Sequence, residues 1–217
     1  MSIAPIGIFG GTFDPIHFGH LRLAEEMLEL ASLSQIRFIP VGTPSHRVKP
    51  AVSAHHRCEM LRLAIAEQPG FVFDEREVRR VVACYTVDSL RELRAELGTA
   101  QPLCLLMGGD AFLKLNTWKA WEQLFDLAHI VVGYRPGFTL AEHIAASAIH
   151  SHYRERLCTA ATLSQMPAGG IVELAIPKLE ISATDIRQRV AENRTIRYLL
   201  PNTVASYIYQ HHLYKPC

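Results

Sequence analysis

The chain has 217 residues, of which 49% are hydrophobic and 20% charged, and its formal net charge is +1. That balance describes an ordinary globular protein with a sizeable core, and it excludes disorder, a fibrous repeat and the broad positive field needed to wrap polymeric nucleic acid. An anion bound here must be met by a local site, which suits a small phosphorylated ligand.

The opening "APIGIFG" predicts a short buried strand, because a compact apolar run ends in glycines just before helical spacing begins. The helix starts near His17, with Leu21, Ala24, Leu28 and Ala31 on one face. "IRFIPVG" reads as the second strand, residues 42–53 as a polar, Pro-rich loop, and "AHHRCEMLRLAIAEQ" as a helix with Met60, Leu63 and Ala64 inward. A short strand at "FVFDE" precedes a helix over Thr86 to Leu97, stopped at Gly98. "PLCLLMGGD" repeats the N-terminal grammar of an apolar run closed by two glycines, and "HIVVGYRPG" gives another strand in that style. Residues 138–168 read as helix without a dominant period; "GGIVELAIP" is a strand, "SATDIRQRVAEN" a capped helix and "NTVASYIYQHHL" a final helix.

Strands alternating with helices imply an α/β fold, a Rossmann-like doubly wound parallel sheet with helices on both faces and ligands at the carboxyl ends of its strands. The expected organisation is a single domain over residues 1–217, helical from about residue 182. The five cysteines (Cys58, Cys84, Cys104, Cys158 and Cys217) are odd in number and form no C-x-x-C pair, which points to a reducing compartment rather than a disulfide framework or a zinc cluster. Neither a signal peptide nor a membrane-spanning run is visible, so the expected location is the cytoplasm, away from membranes. Oligomeric state is not legible.

Two stretches carry chemistry. In "GGTFDPIHFGH", Gly10 and Gly11 allow a tight turn and close backbone approach, Asp14-Pro15 redirects the chain, and His17 and His20 stand three apart on a first helical turn, beside unsatisfied N–H groups. A bare H-x-x-H is more often a satisfied helix-end pair or part of a metal site. Here the strand, glycine pair, turn and intervening Gly19 coincide, which favours a polyphosphate site. In "ISATDIRQR", Ser182 is an N-cap with Asp185 at the capping-box position, and Thr184 and Arg187 can reach a common anion. Alone, that stretch is only a cap.

Together, H-x-G-H at His17 to His20 and I-S-x-T-x-x-R at Ile181 to Arg187 resemble the nucleotidylyltransferase superfamily. Within it, "PSHR", "HHRCEML", "CYTVDSL", "MGGDAFLKLNTW", "YRPG" and "RYLLP…VASYI" are similar to the bacterial nicotinate-nucleotide adenylyltransferases, over essentially the whole chain. The resemblance implies transfer of the adenylyl group of ATP to nicotinate mononucleotide, giving deamido-NAD and pyrophosphate, with Mg2+ accompanying ATP and no protein-bound metal. It implies that Gly10, Gly11, Thr12 and Phe13 border the nucleotide, that His17 and His20 contact the ATP phosphates and stabilise the transition state, and that Ser182, Thr184 and Arg187 hold the phosphates from the other side. It assigns His46, Tyr85, Thr86, Asp110 and Trp118 to the mononucleotide. Without it, Trp118 reads as a core aromatic, Asp110 as a cap and Thr86 as the start of a helix. The competing functions are adenylyl transfer to another phosphorylated acceptor such as phosphopantetheine, and a non-catalytic nucleotide-binding sensor.

Overall fold

The computed structural model describes residues 3–44, 50–135, 137, 139–177 and 179–215. In chain order the elements are β1 (Ile6–Gly11), α1 (Phe18–Leu30), β2 (Gln35–Pro40), β3 (Thr43–Pro44), α2 (Ala54–Ile65), β4 (Phe71–Phe73), β5 (Ala83–Cys84), α3 (Thr86–Leu97) and β6 (Leu103–Gly108). They continue with α4 (Gly109–Phe112), α5 (Leu124–Leu127), β7 (His129–Tyr134), α6 (Leu140–Ile144), α7 (Ile149–Arg156), β8 (Ile171–Ala175), α8 (Ala183–Ala191) and α9 (Asn202–Gln210). Among the described residues no helix is long and apolar enough to cross a membrane.

The main sheet has six strands in the order β4-β2-β1-β6-β7-β8. β1 runs parallel to β6, β6 to β7 and β7 to β8. The chain therefore winds outward from β1 through β2 to β4, returns to β6 beside β1, and winds outward again. This is the doubly wound, Rossmann-like arrangement, with its order reversing at β1. The first five residues of β6 are all buried, as a strand covered on both faces requires.

The chain packs into two compact units, each woven from three segments. The first comprises Met1–Phe9, Ala24–Arg37 and Tyr85–Lys178. Its core is β6 and β7 with Val87, Leu90 and Leu93 of α3, and Arg94 of that helix donates to the carbonyls of Leu127 and Pro167 at 2.8 and 2.6 Å. The second comprises Gly10–Leu23, Phe38–Cys84 and Leu179–Cys217. Here α2 packs on α9, and a two-stranded parallel sheet of β3 and β5 pairs Thr43 with Ala83.

Three helices end in a left-handed residue that is not glycine: Ser32 (φ 49°) after α1, Asn193 (φ 54°) after α8 and His212 (φ 51°) after α9. In each, the next residue's N–H reaches back to the carbonyl five earlier: Leu33 to Leu28, Arg194 to Arg189 and Leu213 to Ile208. These are Schellman closures, which satisfy the helix's last carbonyls. Burial of Leu33 and Leu213, each 7% exposed, offsets the cost of the left-handed turn. α3 does stop at glycine, Gly98 with φ 84°.

Candidate active site

The glycine pair at the end of β1 leads into a turn whose shape is set by Phe13. Its φ is 48° and its ring, 2% exposed, lies edge-on to His20 at 5.3 Å and against Phe38 at 5.9 Å. A Cβ on Gly11 would fall 2.8 Å from that ring, so the glycine is required by the aromatic folded beneath it. Phe13 thus contributes its ring to the core.

His17 and His20 meet as a stacked pair, with centroids 3.8 Å apart and planes at 28°. His17 is 5% exposed, and its Nδ1 is buried without a hydrogen-bond partner in the protein. A Cβ on Gly19 would lie 2.9 Å from that Nδ1 and 3.3 Å from the Ile181 carbonyl oxygen, so a side chain there would displace the imidazole. The glycine of H-x-G-H is therefore a spacing device. Burial pushes the His17 imidazole down to about 4, and it pushes His20 well below the ordinary range, helped by the charge of His17. At neutral pH both rings are neutral. The first-turn amides are not the donors expected from sequence, because Phe18 N–H bonds the Leu199 carbonyl and His20 N–H the His17 carbonyl, at 3.0 and 2.9 Å.

The second motif lies in the same unit. Ser182 caps α8 by accepting from Asp185 N–H at 3.1 Å, but the Asp185 carboxylate pairs with Arg189 at 2.8 Å, so only half of the capping box forms. Arg187 donates to the Thr184 hydroxyl at 3.2 Å and to the Asp14 carbonyl at 2.7 Å. The structure thus ties the I-S-x-T-x-x-R motif to the stretch that carries the histidines. Ser182 and Thr184 are exposed and Arg187 half-buried, which leaves them open to an anion.

Two residues in this region escape sequence reasoning. Arg57, 1% exposed, donates to the carbonyls of Thr12 at 2.8 Å and Val41 at 2.7 Å, pinning the glycine-rich turn to the end of β2. Asp14, read as a turn former, is a buried carboxylate that accepts from Ala51 N–H at 2.6 Å and from the Tyr214 hydroxyl at 2.7 Å. A charged residue inside the apolar stripe of α2 was the available sign for Arg57. His46 lies outside the described residues.

The remaining candidates belong to the first unit. Tyr85 is the N-cap residue of α3 and Thr86 its first residue. The Lys119 ammonium sits 4.1 Å over the Tyr85 ring and 3.2 Å from Asp88 in the first turn of α3, which brings the segment of half-buried Trp118 to that helix start. Asp110 is exposed in α4, directly after β6.

The cytidylyltransferase-like family model matches residues 8–189, a span that includes both motifs. A protein of Dechloromonas aromatica named probable nicotinate-nucleotide adenylyltransferase is 47% identical over 212 residues, covering 97% of this chain and 98% of its own. The chain belongs to the nicotinate-nucleotide adenylyltransferase family. A further member of that name, from Halorhodospira halophila, is 47% identical over 92% of this chain and 90% of its own. The fold is similar to that of a Plasmodium falciparum nicotinic acid mononucleotide adenylyltransferase solved in complex with NaAD, with a TM-score of 0.72, 19% identity and 97% of each chain covered. In this adenylyltransferase chain the stacked histidines, Gly19 and Arg187 fall within the matched span.

Proposed function

We propose that the protein transfers the adenylyl group of ATP to nicotinate mononucleotide, forming deamido-NAD and pyrophosphate in NAD biosynthesis. The observation that carries the reading is the stacked His17–His20 pair, with the His17 Nδ1 buried and unpartnered, in the unit that also holds Thr184 and Arg187. A phosphate oxygen of the mononucleotide attacks the α-phosphorus of ATP, a new P–O bond forms, and the bond to the β-phosphate breaks with pyrophosphate leaving. Negative charge gathers on the non-bridging oxygens, so the protein's task is alignment and charge stabilisation, without a nucleophilic side chain.

In this reading His17 and His20 direct N–H groups at the phosphates, Arg187, Thr184 and Ser182 hold them from α8, and the backbone of Gly10, Gly11, Thr12 and Phe13 borders the nucleotide. An arriving phosphate offsets the desolvation that keeps the imidazoles neutral and draws a proton onto the pair. Tyr85, Thr86, Asp110, Trp118 and His46 serve the mononucleotide: the aromatics stack on its pyridinium ring and the start of α3 receives its carboxylate. Mg2+ would enter with ATP and neutralise triphosphate charge. Among the described residues no three His, Cys, Asp or Glu side chains gather to hold a metal ion. The free thiols of Cys58, Cys84, Cys104 and Cys158 support work in the reducing cytoplasm.

The test mixes protein, ATP and magnesium with nicotinate mononucleotide or its amide and follows pyrophosphate. Faster release with the acid is expected; release that is equal or faster with the amide would overturn the substrate, and none with either would overturn the reaction.

A further inference from the structure

We infer that Tyr214, beyond α9, is a positioning residue for the ATP side of the reaction: its phenol occupies the Asp14 carboxylate so that Arg187 stays beside Thr184. The inference rests on the adenylyl-transfer reading above. Asp14 is 6% exposed, and both of its carboxylate oxygens are met by neutral donors, Tyr214 OH on Oδ1 at 2.7 Å and Ala51 N–H on Oδ2 at 2.6 Å. Two arginines lie close by, and both act electrostatically on the Tyr214 phenol. Arg57 is tied down by the Thr12 and Val41 carbonyls. Arg187 is the one with a choice, because it touches Asp14 only at the backbone carbonyl, at 2.7 Å, while its other nitrogen meets Thr184 at 3.2 Å.

A buried carboxylate short of a donor attracts the nearest cation strongly. With the phenol in place both carboxylate oxygens have a donor, Arg57 adding its charge from nearby, and the Arg187 guanidinium is left for the nucleotide. The phenol remains protonated, since burial and the adjacent Asp14 carboxylate both push its ionisation up. The backbone also marks the spot. Tyr214 has φ 62°, two residues after the left-handed His212, and the hydrogen bond to Asp14 crosses 200 positions of sequence. Strain of this kind persists only where surrounding contacts hold it.

The experiment compares wild type, Tyr214→Phe, Asp14→Asn and the double variant by calorimetric binding of a non-hydrolysable ATP analogue, alongside kinetics and melting. For Tyr214→Phe the expected result is an about tenfold weaker analogue affinity and a matching rise in KM for ATP, the scale of one charged hydrogen bond, with KM for the mononucleotide unchanged. In the Asp14→Asn background, where the amide exerts no charge pull on Arg187, loss of the phenol leaves affinity unaltered. A folded Tyr214→Phe that binds the analogue like wild type overturns the inference, as does an equal loss in both backgrounds. Should Tyr214→Phe melt below the assay temperature, the other two variants decide: equal affinities support the role and a loss overturns it. Wild-type protein that binds the analogue but releases no pyrophosphate with nicotinate mononucleotide breaks the functional reading instead.

Discussion

The region around His17 and the region around Tyr85 use opposite construction. The first is a largely buried polar lattice in which Asp14 meets Tyr214 and Arg187 at hydrogen-bond distance, while Arg57 holds the adjoining turn through the Thr12 carbonyl. The second is a helix start dressed with half-buried groups, where the exposed Lys119 rests over Tyr85 and on Asp88. Phosphoryl chemistry needs donors that are already in place and dry, because their worth falls in water. On the proposed function the Tyr85 region would recognise a pyridine ring, which tolerates adjustment, so pairs of low individual energy would suffice there.

The sharpest way to break this comparison is His20→Ala. Removing a preorganised donor should lower kcat by roughly 100- to 1000-fold with little change in melting temperature, measured by pyrophosphate release and thermal melts. A drop below about fivefold would place the chemistry elsewhere. Next comes Arg57→Met, which leaves the Thr12 and Val41 carbonyls without their donor and should cost about 3 kcal/mol in urea unfolding. A third effect is pH dependence. Because the His17 imidazole is held near 4 in the folded protein against 6.5 in the free side chain, the unfolded state takes up a proton first as pH falls. The stability in question is complete above pH 6.5 and lost toward pH 4, by roughly 3 kcal/mol in all. His20 acts in the same direction. Unfolding midpoints at pH 7.5, 6 and 5 follow the loss.

Gly19→Ala should be milder, lowering kcat/KM about tenfold as the His17 ring is displaced while α1 itself gains up to about 1 kcal/mol in propensity. Smallest is Lys119→Ala, which should change stability by less than about 1 kcal/mol and raise KM for the mononucleotide about twofold, with kcat unchanged. An effect there larger than that of Gly19→Ala would erase the distinction between the two regions.

The alternation of strand and helix, the span of α3 and the doubly wound sheet were legible because each rests on periodicity longer than a few residues. The H-x-G-H pair was legible for another reason, since its spacing and the bracketing glycines are local. The burial of Arg57 was not. Its partners are carbonyls that come into reach only through tertiary folding, and on α2 Leu61 is fully buried while Leu63, expected inward, is 37% exposed. β3 and β5, two residues each, are too short for a pattern to register. The turns at Ser32, Asn193 and His212 lack the glycine that announces such a stop, and the burial of Leu33 and Leu213 that closes the first and last is visible only when folded. Asp14 was read for its turn chemistry, which hid its carboxylate's distant partner.

The contact between Asp14 and Tyr214 spans 200 positions. Synthesis proceeds from the amino end, so the ribosome releases the histidine motif long before it makes the phenol. During that interval a growing polypeptide would hold the early segment without this partner, and the Asp14 carboxylate would gain its phenol donor only after α9 and Tyr214 have been made.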